Sequence, residues 1–333
     1  MHVDAAVRLS SRSAGRIRPR LDELRQVLAE RGNPQLEFPS ILVVGTNGKG
    51  STAAMLEAVF RSHGLSTGLF TSPHLVRVEE RVQLNGVPVD GTVLESAVEL
   101  FDEYPDLTYF EVMTAAAFTI FSDARIDMAV LEAGMGGSWD ATRLAESTIA
   151  GLTNIGSDHA GWLGAEPVEV AREKGCALAA AEAAVIGAGV DDDLVAELGA
   201  PAARRARSLV RCSDVGEGRV LMSWDGRETI VRMPLAGAFQ CDNLELALAL
   251  ALEAASAGLM RSVNPSLVQR ALEEMSWPGR LSIHRLDGRE VLMDCAHNLE
   301  AAMALAEHLD GLDCRYNLLF SCLDDKPVEA MAE

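Results

Sequence analysis

SILVVGTNGKGST, residues 40–52, decides the fold. A short apolar run from Ser40 to Val44 leads directly into Gly45, and residues 51–62 continue with helical spacing. A buried strand, a glycine-rich turn and a helix in immediate succession make a phosphate cradle, because backbone N–H groups of the turn and of the helix N-terminus converge on an anion. Gly45, Gly48 and Gly50 permit the tight turn, Thr46 and Asn47 lie within it, and Lys49 stands beside the hydroxyls of Ser51 and Thr52. Lys49 would neutralise the charge of a transferring phosphate, and Ser51 or Thr52 would ligate magnesium. The spacing is GxxGKGS, not the commoner GxxxxGK[ST]. A plain glycine turn with an exposed lysine is the competing reading, and the strand before and helix after argue against it.

Outward from this unit, apolar strands alternate with helical runs. Residues 15–32 carry a helical period that stops at Gly32 and Asn33. Leu69 and Phe70 lie in a short strand, followed by a loop centred on Ser72, Pro73 and His74. Helices are expected over 110–122, 166–181 and 190–204, and strands over 127–132, 149–155 and 183–187. This order indicates an α/β fold: a mostly parallel sheet with helices on both faces. Residues 205–233 read as antiparallel hairpin strands at the sheet edge, and 241–257 and 264–275 as helices. Trp277, Pro278, Gly279 and Arg280 interrupt both periods and mark a joint between a domain over residues 1–278 and one over 279–333. A strand near 290–294, a helix over 298–309 and a strand over 315–320 make only the start of a smaller Rossmann-like α/β domain. Two strands and a helix leave an apolar sheet edge uncovered, so this C-terminal unit reads as incomplete.

A chain of 333 residues suits one large domain plus a smaller one. Its 49 acidic against 29 basic residues give a formal charge of −20, which repels polyanions and excludes general binding of nucleic acid or an anionic membrane. Residues 1–20 lack an unbroken apolar stretch and carry Arg8, Arg12, Arg16, Arg18 and Arg20, unlike a signal peptide. No apolar stretch is long enough to span a bilayer. The six cysteines include no CxxC pair and suit reduced thiols, so a cytoplasmic protein is expected.

Glu132 ends DMAVLE just before Gly134 and a GG pair, where an acidic strand end beside a nucleotide would ligate magnesium. Asp158 and His159 occupy the equivalent place after the next strand, and a histidine beside an aspartate there is a metal-ligand candidate. Strand ends also carry charges that are merely solvated. Lys174, in AREKGC, has no evident use as a plain ammonium near divalent metal.

With these residues in place, the chain resembles the folylpolyglutamate synthase/dihydrofolate synthase family, a branch of the Mur-ligase superfamily. The matching stretches run in family order: GNPQ (32–35), GTNGKGST (45–52), LFTSPHLVRVEERVQLNG (69–86), VLEAGMGGSWDAT (130–142), TNIGSDHAGWLG (153–164), AREKG (171–175), WPGR (277–280) and MDCAHN (293–298). The resemblance implies ATP and two magnesium ions as cofactors. Lys49 and Ser51 would be the phosphate lysine and first metal ligand, Glu132 would share that ion, and His159 would hold the second. Lys174 matches a lysine carbamylated in this family, an anionic metal ligand or organiser. Asn243, Arg280, Asp294 and His297 would contact nucleotide, with Lys49, Lys174 and His297 in the catalytic set. Ser72, Pro73 and His74 match the loop beside the pterin-bearing substrate. The implied reaction joins L-glutamate to a dihydropteroate or folate carboxylate through an acyl phosphate, in a protein expected to be a monomer. Departures from the family pattern are GGSWDATR for GGRLDATN, which places Ser138 and Arg143; Phe239 for histidine in HQxxN; DCAHNL for DGAHNP; and Val78-Glu79 before the ER pair. The alternatives are a Mur-type ligase with another carboxylate and amino acid, or a regulatory nucleotide-binding protein without transfer chemistry.

Overall fold

In the computed structural model, residues 5–10, 12, 20–158, 160–164, 166–312, 316–323 and 326–332 are described. β1 (Ser40–Val44) is buried at every position. Its side chains divide with the strand period of two: Ile41 and Val43 join one apolar core, Leu42 and Val44 the other. A central parallel strand is buried on both faces, which explains its unbroken apolar run. After it come β2 (Thr67–Phe70), β3 (Val82–Leu84), β4 (Val87–Pro88), β5 (Met128–Glu132), β6 (Ile149–Asn154), β7 (Ala183–Gly189) and β8 (Arg204–Arg205). They form one eight-stranded sheet in the order β4-β3-β2-β5-β1-β6-β7-β8. Pairs from β2 through β8 are parallel, and β3 and β4 extend the β2 side antiparallel.

The helices in chain order are α1 (Ala5–Ser10), α2 (Asp22–Glu30), α3 (Lys49–Ser62), α4 (Gly91–Glu99), α5 (Tyr109–Asp123), α6 (Ala160–Leu163), α7 (Pro167–Ala180), α8 (Asp192–Val195), α9 (Gln240–Ser256) and α10 (Pro265–Glu274). α3, α9 and α10 enclose the core of Ile41 and Val43, while α2, α4, α5 and α7 enclose that of Leu42 and Val44. Local chemistry fixes the start of α5: the Thr108 hydroxyl accepts from the Glu111 N–H at 3.3 Å, and the Glu111 carboxylate accepts from the Thr108 N–H at 2.7 Å.

Three sequence expectations are corrected. The helix over 190–204 shortens to α8 and a 3-10 turn at Ala196–Leu198, ending at Gly199 with φ 64°. Pro201 follows, and Arg204-Arg205 instead pair with β7 as β8. Residues 205–233 do not extend the main sheet. They contain β9 (Arg211–Gly216), β10 (Arg219–Trp224) and β11 (Arg227–Arg232), a separate three-stranded antiparallel sheet. Its turns, Glu217-Gly218 and Asp225-Gly226, have positive φ at both residues, the geometry that matches strand twist. Val220, Met222 and Trp224, alternate residues of β10, are buried in the core with α9 and α10. The strand over 315–320 is likewise absent: residues 316–320 have no regular structure, and residue 315 lies outside the described residues. The C-terminal strands are the antiparallel hairpin β12 (Ser282–Leu286) and β13 (Arg289–Met293), followed by α11 (Leu299–Asp310) and α12 (Val328–Ala332).

Gly175, in α7, shows how closely this helix packs. A Cβ there would lie 2.1 Å from the Leu198 carbonyl oxygen, a backbone atom with no rotamer to escape through. Gly175→Ala should therefore destabilise the chain by about 1–3 kcal/mol, although helix propensity alone favours alanine by about 1 kcal/mol. The midpoint of chemical denaturation should fall, and an unchanged or raised midpoint would refute the contact.

Candidate active site

β5, β1 and β6 are neighbours and parallel, so Glu132, the turn after Val44, and Asn154 emerge together at one carboxyl edge. Gly45 has φ 147° and a Cβ there would lie 1.8 Å from Thr153 Oγ1; Gly48 has φ 80° and its Cβ would lie 2.2 Å from Asn243 Oδ1. Both positions thus require glycine for conformation and for space. Gly50 works differently. It is inside α3, where a Cβ would lie 3.3 Å from Glu132 Oε2. The N–H groups of Thr46 and Asn47 donate to Asn154 Oδ1 at 3.1 and 2.8 Å, and the Thr153 hydroxyl donates to the Asn47 carbonyl at 2.6 Å. Thr153 and Asn154 open the matched stretch TNIGSDHAGWLG but carry no assigned role there, although the strand-end argument that singles out Glu132 applies equally to Asn154. Ser51 and Thr52 lie buried in the first turn of α3, with Thr52 Oγ1 donating to Asn243 Oδ1 at 3.4 Å.

Lys49 Nζ donates to the carbonyls of Gly45 and Thr46 at 3.2 and 3.0 Å. Glu132 is buried and accepts the Ser72 N–H at 3.0 Å, which ties the Ser72–His74 loop to the phosphate turn. Burial lowers the Lys49 pKa and raises that of Glu132, each shift opposed by the other's charge. Lys174 is only 2% exposed and donates to the Gly45 carbonyl at 2.7 Å. Burial, reinforced by the nearby Lys49 charge, lowers its pKa to about 7. The preceding residue, Glu173, accepts the N–H groups of Gly137 and Ser138 at 3.0 and 2.8 Å, and Ser138 Oγ donates to its carboxylate at 2.8 and 2.7 Å. The Ser138 departure therefore docks the glycine turn of 134–138 directly on α7. Asp140, buried after that turn, accepts the Met135 and Thr142 N–H groups at 2.8 and 3.0 Å, and burial raises its pKa.

A cavity of about 1030 Å³ opens over this edge. The turn from Thr46 to Ser51 forms its floor with Glu132 and Asn243, and Ser72, Pro73 and His74 line a second side. His74 Nδ1 accepts from Arg81 Nε at 2.8 Å, and the Arg81 guanidinium lies 5.2 Å from the Tyr109 ring centroid. Arg280, Asp294 and His297 line the C-terminal side. Asp294 is also structural, accepting the Leu281 and Ala296 N–H groups at 2.9 and 2.8 Å. Gly45, Thr52 and Lys174 lie behind this lining, and His159 lies outside the described residues. Among the described residues no cluster of three or more His, Cys, Asp or Glu could hold a metal ion, and no helix is long and apolar enough to cross a membrane.

Asp158 joins the two sides of the cavity. Lys326 Nζ donates to its Oδ1 at 2.6 Å, and His297 Nε2 and Asn298 Nδ2 each lie 3.4 Å from its Oδ2. Neither Lys326 nor Asn298 carried a role in the sequence reading. The hydrogen bond to Asp158 raises the His297 pKa, against burial and the charge of Lys326. A histidine pKa raised on folding contributes stability that is complete below its unfolded value of about 6.5 and is lost as pH rises through the folded value. The melting-temperature advantage of the wild type over His297→Gln should thus shrink between about pH 6 and pH 8. A constant difference would show that protonation of His297 does not contribute to the contact.

A parallel sheet whose central strand opens into a glycine turn and a lysine-bearing helix, beside an acidic strand end, defines a phosphate-loop fold. The chain belongs to the folylpolyglutamate synthase/dihydrofolate synthase family of the Mur-ligase superfamily. Residues 43–251 match the Mur ligase middle domain. A dihydrofolate synthase/folylpolyglutamate synthase of Mycobacterium tuberculosis is 34% identical over 350 residues, covering 95% of this chain and 72% of its own length. A probable bifunctional folylpolyglutamate synthase/dihydropteroate synthase of Halobacterium salinarum is 34% identical over 335 residues, and there the match covers 95% of this chain but 40% of the relative. The structure of Escherichia coli FolC in complex with DHPP and ADP superposes with a TM-score of 0.86 at 26% identity, covering 99% of this chain and 80% of that one.

Proposed function

We propose that this chain is an ATP-dependent amide ligase that adds L-glutamate to a dihydropteroate or folate carboxylate. The observation that carries the reading is the convergence of Lys49, Glu132 and the Ser72–His74 loop on one cavity beside Lys174, in a chain related to enzymes named for this activity. Attack of the substrate carboxylate on the γ-phosphorus gives an acyl phosphate and ADP. The amine of glutamate then displaces inorganic phosphate and loses a proton, forming the amide. Loop N–H groups and Lys49 would hold the phosphates and oppose the charge that builds on their oxygens. Arg280, Asp294 and His297 would contact the nucleotide from the C-terminal side, with Asn243 beneath the loop. Residues 1–278 would form the nucleotide-binding domain and 279–333 the partner that closes over it, excluding water from a hydrolysable intermediate.

Magnesium fits the donors present. Ser51 and Glu132 offer hard oxygen at the loop, and this ion takes one or two protein ligands with phosphate and water rather than a full protein cage. Bound there, it would supply charge neutralisation of the phosphates. His159 would serve the second ion. Lys174 would contribute as a carbamate, formed when its neutral amine adds to carbon dioxide and releases a proton, which replaces a cation by oxygen donors beside Lys49.

The test is ADP release and product formation with dihydropteroate or tetrahydrofolate, each with and without glutamate. Turnover that needs both partners is expected. No product from either acceptor, with turnover on a cell-wall precursor instead, would assign the chain to another Mur-type ligase.

A further inference from the structure

Asn298 is only 3% exposed, and contacts in three directions fix its side chain. Its Oδ1 accepts the Ala301 N–H at 2.9 Å, capping α11. Its amide also pairs reciprocally with Asn47: Asn298 Nδ2 donates to Asn47 Oδ1 at 2.8 Å, and Asn47 Nδ2 donates to Asn298 Oδ1 at 3.2 Å. The same Nδ2 reaches Asp158, the carboxylate that holds Lys326 and lies beside His297. Asn47 is equally constrained from the other side, since its N–H and carbonyl are bound by Asn154 and Thr153. A pair of amides taken from water is costly to leave half-satisfied, so this pair forms in full or separates. The phosphate loop and the cap of α11 are therefore joined through one contact whose geometry the loop dictates.

We infer that Asn298 is a positioning residue that makes the seating of α11, and with it His297 and Lys326, depend on the state of the phosphate loop. The inference deepens the ligase function proposed above and rests on it. Phosphate held by the loop N–H groups favours the turn geometry that presents the Asn47 amide, and so favours the paired over the separated arrangement. By linkage, the seated C-terminal segment tightens nucleotide binding by the same factor. The acyl phosphate then forms only where the segment is already in place.

The experiment is hydrogen exchange on the full chain, with and without magnesium and the non-hydrolysable ATP analogue AMPPCP. In the wild type the analogue should slow exchange in the first turns of α11 and in α12 by about 5-fold or more, the lower end of common coupling factors. Asn298→Ser keeps a good helix cap but removes both amide donations. It should still bind the analogue, more weakly by the same factor that the wild-type protection shows, while the protection it induces disappears. Asn298→Asp, which also caps, serves as a second variant without the donor. Analogue binding by the wild type without change in α11, or full protection retained in Asn298→Ser, would overturn the inference alone. Failure of the wild type to bind the analogue would overturn the ligase function with it, and coupling without ligation would overturn only the ligase function.

Discussion

Lys49→Ala is expected to slow ATP-dependent ligation by about 10²–10³-fold, the usual cost of losing one transition-state contact, while the chain stays folded. Lys49 opens α3, where alanine is a good helix former, and among the described residues its ammonium donates to the loop carbonyls of Gly45 and Thr46. The apolar cores on either side of β1 do not involve it. Single-turnover measurement of carboxylate-dependent ADP formation, with melting temperature as the control for folding, checks the expectation. Near-normal product formation by a folded variant would remove Lys49 from the phosphate role.

Lys174→Ala should lower activity by about 10–100-fold, the usual cost of removing a group that organises a metal site. A plain ammonium here lies in one low-dielectric space with Lys49 and cannot ligate a cation. A carbamate reverses its sign and offers oxygen donors. Carbon-13 bicarbonate should give a carbamate signal in the wild type that the variant lacks, and acetate should restore part of the variant's activity by occupying the vacated volume. Full activity in Lys174→Ala would sink the role. Lost activity with no carbamate signal in the wild type would point instead to an amine acting directly on the Gly45 carbonyl, its partner at 2.7 Å.

The central sheet was legible because β1, β5 and β6 must be apolar throughout and end in residues that break the run: Gly45, Glu132 and Asn154. The phosphate turn was legible for the same reason, since its glycines answer to steric limits written locally. The β9–β11 sheet was harder to place. Its Asp225-Gly226 turn announces a hairpin, but nothing local states that Trp224 packs toward α9 and α10 instead of continuing the main sheet. The parts played by Lys326 and Asn298 were not legible, for a different reason. Their roles come from Asp158 and Asn47, far away in the chain, and a lysine or a helix-capping asparagine has an ordinary local explanation.

The pairing of β1 also bears on how the chain acquires its structure. Ser40 pairs with Ala129 and Ile41 with Ile149, partners roughly a hundred residues apart, so the central ladder closes long loops and forms slowly compared with local hairpins. Asn154 and Thr153, which shape the phosphate turn, arrive only with β6. A folding intermediate without that strand lacks the backbone geometry that recognises phosphate. A nucleotide bound as proposed would therefore favour the native state over its precursors, and at a concentration of about 100 Kd it would add about 2.7 kcal/mol to the native side of the equilibrium. The ligand of the proposed reaction would thus also act as a stabiliser of the fold that recognises it.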